Sequence, residues 1–105
     1  MTNSRLDILL KSLEQNADDP FTRYLIALEY VKLNQPSEAF RHFNILVEKH
    51  ADYVPTYYQY GTALEQAGRM DDAKRIFRLG VSAAEKAGDA HTKSELQQAL
   101  DLIEG

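Results

Sequence analysis

The chain has 105 residues, of which 44% are hydrophobic and 27% are charged, values typical of a single globular domain. Its net charge is −4, and each half carries six basic and eight acidic groups, a balance that argues against binding to nucleic acid or anionic lipid. The absence of cysteine excludes disulfides and cysteine-based metal sites. With no signal-like or membrane-spanning apolar run in the sequence, we expect a cytoplasmic protein.

An N-terminal flanking helix is predicted over residues 3–16, where four leucines recur at the spacing of one helix face. These are Leu6, Leu9, Leu10 and Leu13. A second helix is predicted from Pro20 to about Leu33. Asp19 is its expected N-cap, and proline suits the first helical position because its missing N–H would have no helical partner there.

Two further helices follow, each after a short turn. Residues 34–36 form the first turn, and Ser37 is expected to cap a helix that runs to about His50. Pro55 then opens a helix that ends near Ala67. Both segments are therefore predicted as helices of three to four turns.

The last two helices are predicted from their end signals and their apolar spacing. Gly68 is expected to end the preceding helix in the left-handed conformation. Asp71 and Asp72 are expected to start the next helix, where the helix dipole favours negative charge, and Gly88 ends it. A C-terminal helix over 89–104 has one apolar stripe and a polar outer side. The stripe is Leu96, Ala99, Leu100 and Ile103, and the outer side is Lys93, Gln97, Asp101 and Glu104.

The sequence repeats itself with a period of 34 residues, which divides it into units over 20–53 and 54–87. Small residues align with small residues and aromatic residues with aromatic ones. The aligned pairs include Ala27 and Gly61, Tyr24 and Tyr58, Ala39 and Ala73, and Phe43 and Phe77.

This repeat resembles the tetratricopeptide repeat (TPR) family, whose signature is W-x2-L-G-x2-Y followed by A-x3-F. The second unit reads Tyr57-x2-Tyr60-Gly61-x2-Leu64, then Ala73-x3-Phe77, and the first reads Arg23-x2-Ile26-Ala27-x2-Tyr30, then Ala39-x3-Phe43. Glu95 replaces the small residue in the C-terminal helix, which is therefore expected to cap the array. The resemblance implies an all-α fold, a short right-handed α-solenoid of antiparallel helix pairs with about six helices.

The first helix of each TPR unit lines a concave surface, so the resemblance implies a protein–protein interaction module that binds a peptide or helix there. The candidate partner-binding residues are Tyr24, Leu28, Val31, Lys32, Tyr58, Gln59, Thr62 and Glu65. Tyr57 and Tyr60 share another helix face with Gly61 and are expected in the core. For Tyr24 and Tyr58 the alternative is contact with the capping helix.

No arrangement of residues indicates catalysis, so we expect no enzyme activity, no cofactor and no metal site. The histidines lack metal-ligand spacing and are expected at helix ends or in solvent; they are His42, His50 and His91. The carboxylate pairs Asp18-Asp19 and Asp71-Asp72 are expected to cap helices, and a basic strip is expected on a solvated outer face. That strip is Lys74, Arg75 and Arg78. The alternative function is a structural role through a homodimer or a larger homo-oligomer.

Overall fold

The computed structural model describes residues 4–105, and within them the chain forms six α-helices and no strand. The helices are α1 (Ser4–Gln15), α2 (Pro20–Lys32), α3 (Pro36–Lys49), α4 (Pro55–Gln66), α5 (Met70–Lys86) and α6 (Ala90–Glu104). The prediction of an all-α fold with about six helices is confirmed. The helices form two compact units. The first ends at His50 and contains α1 to α3, and the second runs from Ala51 to Gly105 and contains α4 to α6.

The core of the first unit lies between α2 and α3. Five apolar side chains have no exposed surface there: Ile26, Ala27, Ala39, Phe43 and Leu46. The two alanines allow the helices to approach closely. Burial of a side chain as large as Phe43 contributes about 1.5–3 kcal/mol to the free energy of folding. Helix α1 packs against α2 through leucines that are half-buried. An ion pair of 3.0 Å joins Arg5 of α1 to the buried carboxylate of Glu29 on α2.

The second unit is built on two glycines that bring its helices close together. Gly61 of α4 faces the ring of Phe77 on α5, and a side chain at Gly80 of α5 would meet both Tyr57 and Leu96. These pairings make α4 antiparallel to α5, because residue number rises along one helix as it falls along the other. The core of this unit therefore extends from α4 through α5 to α6.

Helix α6 is antiparallel to α5, and two ion pairs join the edges of the two helices. Lys93 pairs with Glu85 at 3.2 Å, and Glu104 pairs with Arg78 at 2.7 Å. Leu96 and Leu100 are buried as the predicted apolar stripe requires. Lys93 and Glu104 of the predicted polar outer side, and Arg78 of the predicted basic strip, thus form ion pairs while Arg78 and Glu104 stay exposed to solvent. These side chains are long enough to reach across the α5–α6 boundary.

Side-chain capping differs from helix to helix. Asp19 caps α2 as predicted, since its carboxylate accepts a hydrogen bond from the backbone N–H of Phe21. The predicted cap at Ser37 is wrong, because α3 begins one residue earlier, at Pro36. At α5 the N-cap position is Arg69 and the aspartates lie inside the first turn, where Asp72 forms a 2.6 Å ion pair with Arg69. The negative charges of those aspartates therefore stabilise the N-terminus of α5 through the helix dipole, and neither aspartate is the N-cap residue.

Helices α2, α4 and α5 end in the same way. Each is followed by a residue with positive φ, which is Asn34 at 59°, Gly68 at 78° or Gly88 at 70°. In each case the next N–H donates to the carbonyl five residues back at 2.9 Å. This is the Schellman arrangement, which satisfies carbonyls that the last helical turn leaves open.

Candidate functional site

The tyrosines of α4 divide between the core and the surface. Tyr57 and Tyr60 are 2% and 4% exposed, which confirms their predicted core positions. The Tyr57 hydroxyl donates a hydrogen bond to the carbonyl of Ala51, and burial raises the pKa of this phenol. Tyr57 is thus held by both packing and a polar contact, and its hydroxyl is engaged inside the second unit.

Tyr58 lies on the other face of α4 and is 41% exposed. Its ring packs at a tilt of 57° against Phe77, with 6.3 Å between the ring centroids. Phe77 itself has no exposed surface and sits against Gly61. Tyr58 is therefore an exposed aromatic side chain whose ring packs against a fully buried residue. This packing restricts the ring before binding, so that Tyr58 loses less conformational entropy when it binds a partner.

A groove of about 260 Å³ lies between α4 and α6, and we call it the α4–α6 groove. Its lining residues are Tyr58, Thr62, Glu65, Glu95, Gln98, Ala99 and Leu102. Three of the predicted partner-binding residues are thus brought together. Tyr58 borders the capping helix and is also exposed, and its contact with a partner stays a prediction. Leu102 is 84% exposed, a large apolar side chain with almost no intramolecular cover.

The register of the helices gives the dimensions of this groove. Tyr57 and Leu96 flank the same residue of α5, so their neighbours Tyr58 and Glu95 lie at one end of the groove. Helices α4 and α6 run in the same direction, because each is antiparallel to α5. Glu65 and Leu102 follow seven residues later, which is about 10 Å along a helix. Each end of the groove therefore has one apolar side chain and one carboxylate.

The α6 wall of the groove was missed in the sequence analysis. Its pattern is nonetheless visible there, because Glu95, Ala99 and Leu102 follow the spacing i, i+4, i+7 and so share one helix face. The same spacing joins Tyr58, Thr62 and Glu65 on α4. What the sequence could not show is that the two faces border one groove, since this depends on how α5 holds both helices.

The other predicted partner-binding residues lie outside this groove. Gln59 is exposed on α4 but is not part of the lining. In the first unit, Tyr24, Leu28 and Val31 are half-buried on α2, and Lys32 is exposed at its C-terminus. These side chains remain accessible in part, and their contact with a partner stays a prediction.

A larger cavity of about 530 Å³ lies elsewhere in the second unit. It is lined by Ala51, Asp52, Tyr57, Leu79, Ser82, Ala83, Lys86 and Ala87. The aromatic residue there, Tyr57, is buried, and its hydroxyl already has a partner. The α4–α6 groove differs from this cavity because its aromatic residue, Tyr58, is exposed.

His42 departs from the prediction of a helix-end or solvated histidine. It lies in the middle of α3, is only 2% exposed and stacks on Tyr30 with 5.7 Å between ring centroids. Its Nδ1 is 2.9 Å from Arg23 Nη1, and its Nε2 is 3.2 Å from Arg41 Nη2. Because guanidinium groups only donate, the shorter contact is the hydrogen bond, from Arg23 to an unprotonated Nδ1.

The environment of His42 keeps the imidazole neutral. Burial is the main cause and the two arginines add to it, and together they lower the pKa from 6.5 to about 4. Arg23 occupies the place of the usual TPR aromatic and so provides the donor for this histidine. The other two histidines match the prediction, since His50 is the C-cap of α3 and His91 lies exposed in the first turn of α6.

Two kinds of feature are absent from the described part of the chain. No helix within residues 4–105 combines the length and the apolar character needed to cross a membrane. In the same range, no three His, Asp or Glu side chains come together as a possible metal site.

Solved structures share this fold. The crystal structure of a tetratricopeptide repeat domain protein from Salinibacter ruber is 42% identical, with a TM-score of 0.78 over 84% of this chain and 98% of that chain. A solution NMR structure of a tetratricopeptide repeat domain protein from the same organism is 41% identical, with a TM-score of 0.81 over 86% and 91%. A solution structure of a protein from Bordetella parapertussis is 23% identical, with a TM-score of 0.80 over 98% and 89%, and shows similarity of fold alone.

No protein-family model and no curated protein matches the sequence. The solved structures nevertheless combine the helical-repeat fold with sequence identity above 40%. In this chain the predicted repeat signature has its small residues at Ala27 and Gly61 and its buried aromatic residues at Phe43 and Phe77. The chain belongs to the tetratricopeptide repeat family.

Proposed function

We propose that the protein is a non-catalytic interaction module that holds a peptide or helix of a partner protein against the first helices of its repeats. As a TPR protein, it is a helical repeat module of a kind generally involved in protein interactions. The observation that carries the finer proposal is the α4–α6 groove, where Tyr58 is exposed above a rigid core and Leu102 has almost no cover. Exposed aromatic and aliphatic anchors in a concave surface are the usual centre of a protein interface.

The proposal extends to the first unit. Tyr24, Leu28 and Val31 present partly accessible apolar surface on α2, and Lys32 adds a charge beside them. These residues, together with Gln59, are proposed as further contacts of the partner. A groove of this size suits an affinity in the micromolar range, about −8 kcal/mol.

The polar groups also favour binding over catalysis. The two carboxylates of the groove are offset by about 10 Å along the helices, whereas a pair of carboxylates that acts on one glycosidic bond is about 5–9.5 Å apart. The strongly perturbed group, His42, has a guanidinium at each ring nitrogen, so it cannot take up a proton readily. A homodimer or a larger homo-oligomer remains the alternative, because a second copy could also cover Leu102.

Selection from an unbiased peptide-display library tests the proposal. Wild-type protein should capture peptides that bind with micromolar affinity, and Tyr58→Ala should weaken that binding at least tenfold through loss of the aromatic anchor. Leu79→Ala is the matched control, because Leu79 is also 41% exposed but lies outside the groove. It should bind as wild type does, and circular dichroism checks that both variants fold.

Two outcomes would contradict the proposal. One is that no peptide is captured, and the other is that Tyr58→Ala binds as tightly as the control. Sedimentation over a hundredfold range of concentration separates the alternative, since a homo-oligomer should gain mass with concentration in the absence of any peptide.

A further inference from the structure

The α4–α6 groove has a definite electrostatic character. Its two charged lining residues are both acidic, Glu65 on α4 and Glu95 on α6. The remaining lining residues are apolar or neutral: Tyr58, Thr62, Gln98, Ala99 and Leu102. Any segment that covers the groove must therefore bring its own positive charge or leave two carboxylates without compensation.

No lysine or arginine in the described part of the chain forms an ion pair with either carboxylate. Glu65 forms no ion pair with any residue in 4–105, and Glu95 faces only the largely exposed His91, at 3.6 Å. Elsewhere in the second unit, Glu85 and Glu104 are paired with basic residues. The groove carboxylates are thus left available to a partner.

The geometry also sets a spacing. Glu95 lies beside Tyr58 at one end of the groove, and Glu65 lies beside Leu102 about 10 Å further along. On a helical ligand two side chains on one face are about 10 Å apart when they are seven residues apart. Apolar residues between them, at i+3 and i+4, would meet the apolar surface of Tyr58 and Leu102.

We propose that the partner segment is a basic amphipathic helix, with Lys or Arg at positions i and i+7 that contact Glu95 and Glu65, and apolar residues between them. This inference rests on the proposed function and specifies its ligand. The same charges disfavour an acidic peptide or a C-terminal carboxylate, which would face two like charges in a partly desolvated groove.

The test uses the peptides that wild-type protein selects from the unbiased library. Those that Tyr58→Ala fails to bind are groove ligands, whatever their charge. They should be enriched in Lys and Arg at a spacing of seven residues. The variant Glu65→Gln/Glu95→Gln should bind them about fourfold more weakly at low salt, since each of the two exposed charge pairs contributes a factor of roughly two. Its affinity should also depend less on ionic strength.

The control variant is Glu14→Gln/Glu48→Gln, which changes the net charge equally at two exposed positions of the first unit. It should bind as wild type does. If the groove ligands have no excess of basic residues, this inference is overturned and the proposed function stays intact. The same conclusion follows if the two double variants bind the groove ligands equally well. If the wild-type protein self-associates and Glu65→Gln/Glu95→Gln does not, the occupant of the groove is a second copy of this chain, and the inference of a basic partner helix is overturned. Failure to select any groove ligand would overturn the proposed function and this inference with it.

Discussion

The close approach of α4 and α5 depends on the absence of a side chain at Gly61. A Cβ at this position would lie 2.6 Å from Cδ1 and 2.7 Å from Cζ of Phe77. Carbon atoms in favourable contact are about 3.5–4.0 Å apart, so the ring would have to move by about 1 Å. Phe77 has no exposed surface, and Tyr58 packs against it, so it has no free space to move into.

Gly61→Ala should therefore destabilise the protein by about 2 kcal/mol. Overpacking of a filled core costs about 1–3 kcal/mol, and this clash with a fully buried ring belongs at the upper end. Alanine recovers about 1 kcal/mol through its higher helix propensity. The melting temperature of a chain of this size should fall by about 8 °C.

Urea unfolding followed by circular dichroism measures the effect, and Phe77→Leu supplies the control. Leucine is shorter than phenylalanine and leaves room for a methyl group at residue 61. Phe77→Leu alone creates a cavity and is destabilising, but in the Gly61→Ala background it should relieve the clash. We expect a coupling free energy of about 1–2 kcal/mol. Wild-type stability of Gly61→Ala, or strictly additive effects, would refute the argument.

Two further predictions concern the cores of the two units. The pKa of His42 is lower in the folded chain, at about 4, than its ordinary value of 6.5, so the folded state binds fewer protons. The stability that depends on neutral His42 is complete above about pH 6.5 and is lost as the pH falls towards 4, by up to about 3 kcal/mol. Wild type should thus lose more stability than His42→Gln between pH 7 and pH 4, and equal losses in urea titrations would contradict this. In the second unit, Leu96→Ala should cost about 3 kcal/mol because Leu96 is fully buried, whereas Leu102→Ala should change the stability by less than about 0.5 kcal/mol. An unchanged urea midpoint for Leu96→Ala would show that α6 is not part of the core.

The sequence contains most of the information on the helices because their signals are local. Proline at the first helical position, a left-handed residue at the end and apolar residues at helical spacing all act within a few residues. The 34-residue repeat then indicates which positions take small and which take aromatic residues, whereas the contact of Gly61 with Phe77 is seen only in the structure. The two buried tyrosines of α4 were likewise separable from Tyr58 by helical spacing alone.

His42 shows where local reasoning was incomplete. Its position follows the spacing of the buried residues Ala39, Phe43 and Leu46, so a core position could have been predicted from the sequence. Its hydrogen-bond donor could not, because Arg23 lies 19 residues away on another helix. Burial is the main cause of the depressed pKa and comes from packing between helices, whereas the smaller effect of Arg41 arises within α3 and that of Arg23 comes from α2.

The candidate site depends on tertiary structure to a greater degree. The sequence determines that Tyr58, Thr62 and Glu65 share a face of α4, and that Glu95 and Leu102 share a face of α6, because side chains repeat every 3.6 residues on any α-helix. Only the packing of both helices against α5 brings the two faces to one groove. Helical periodicity is a local property of the chain, whereas the distance between two helices is decided by the side chains that a third helix places between them.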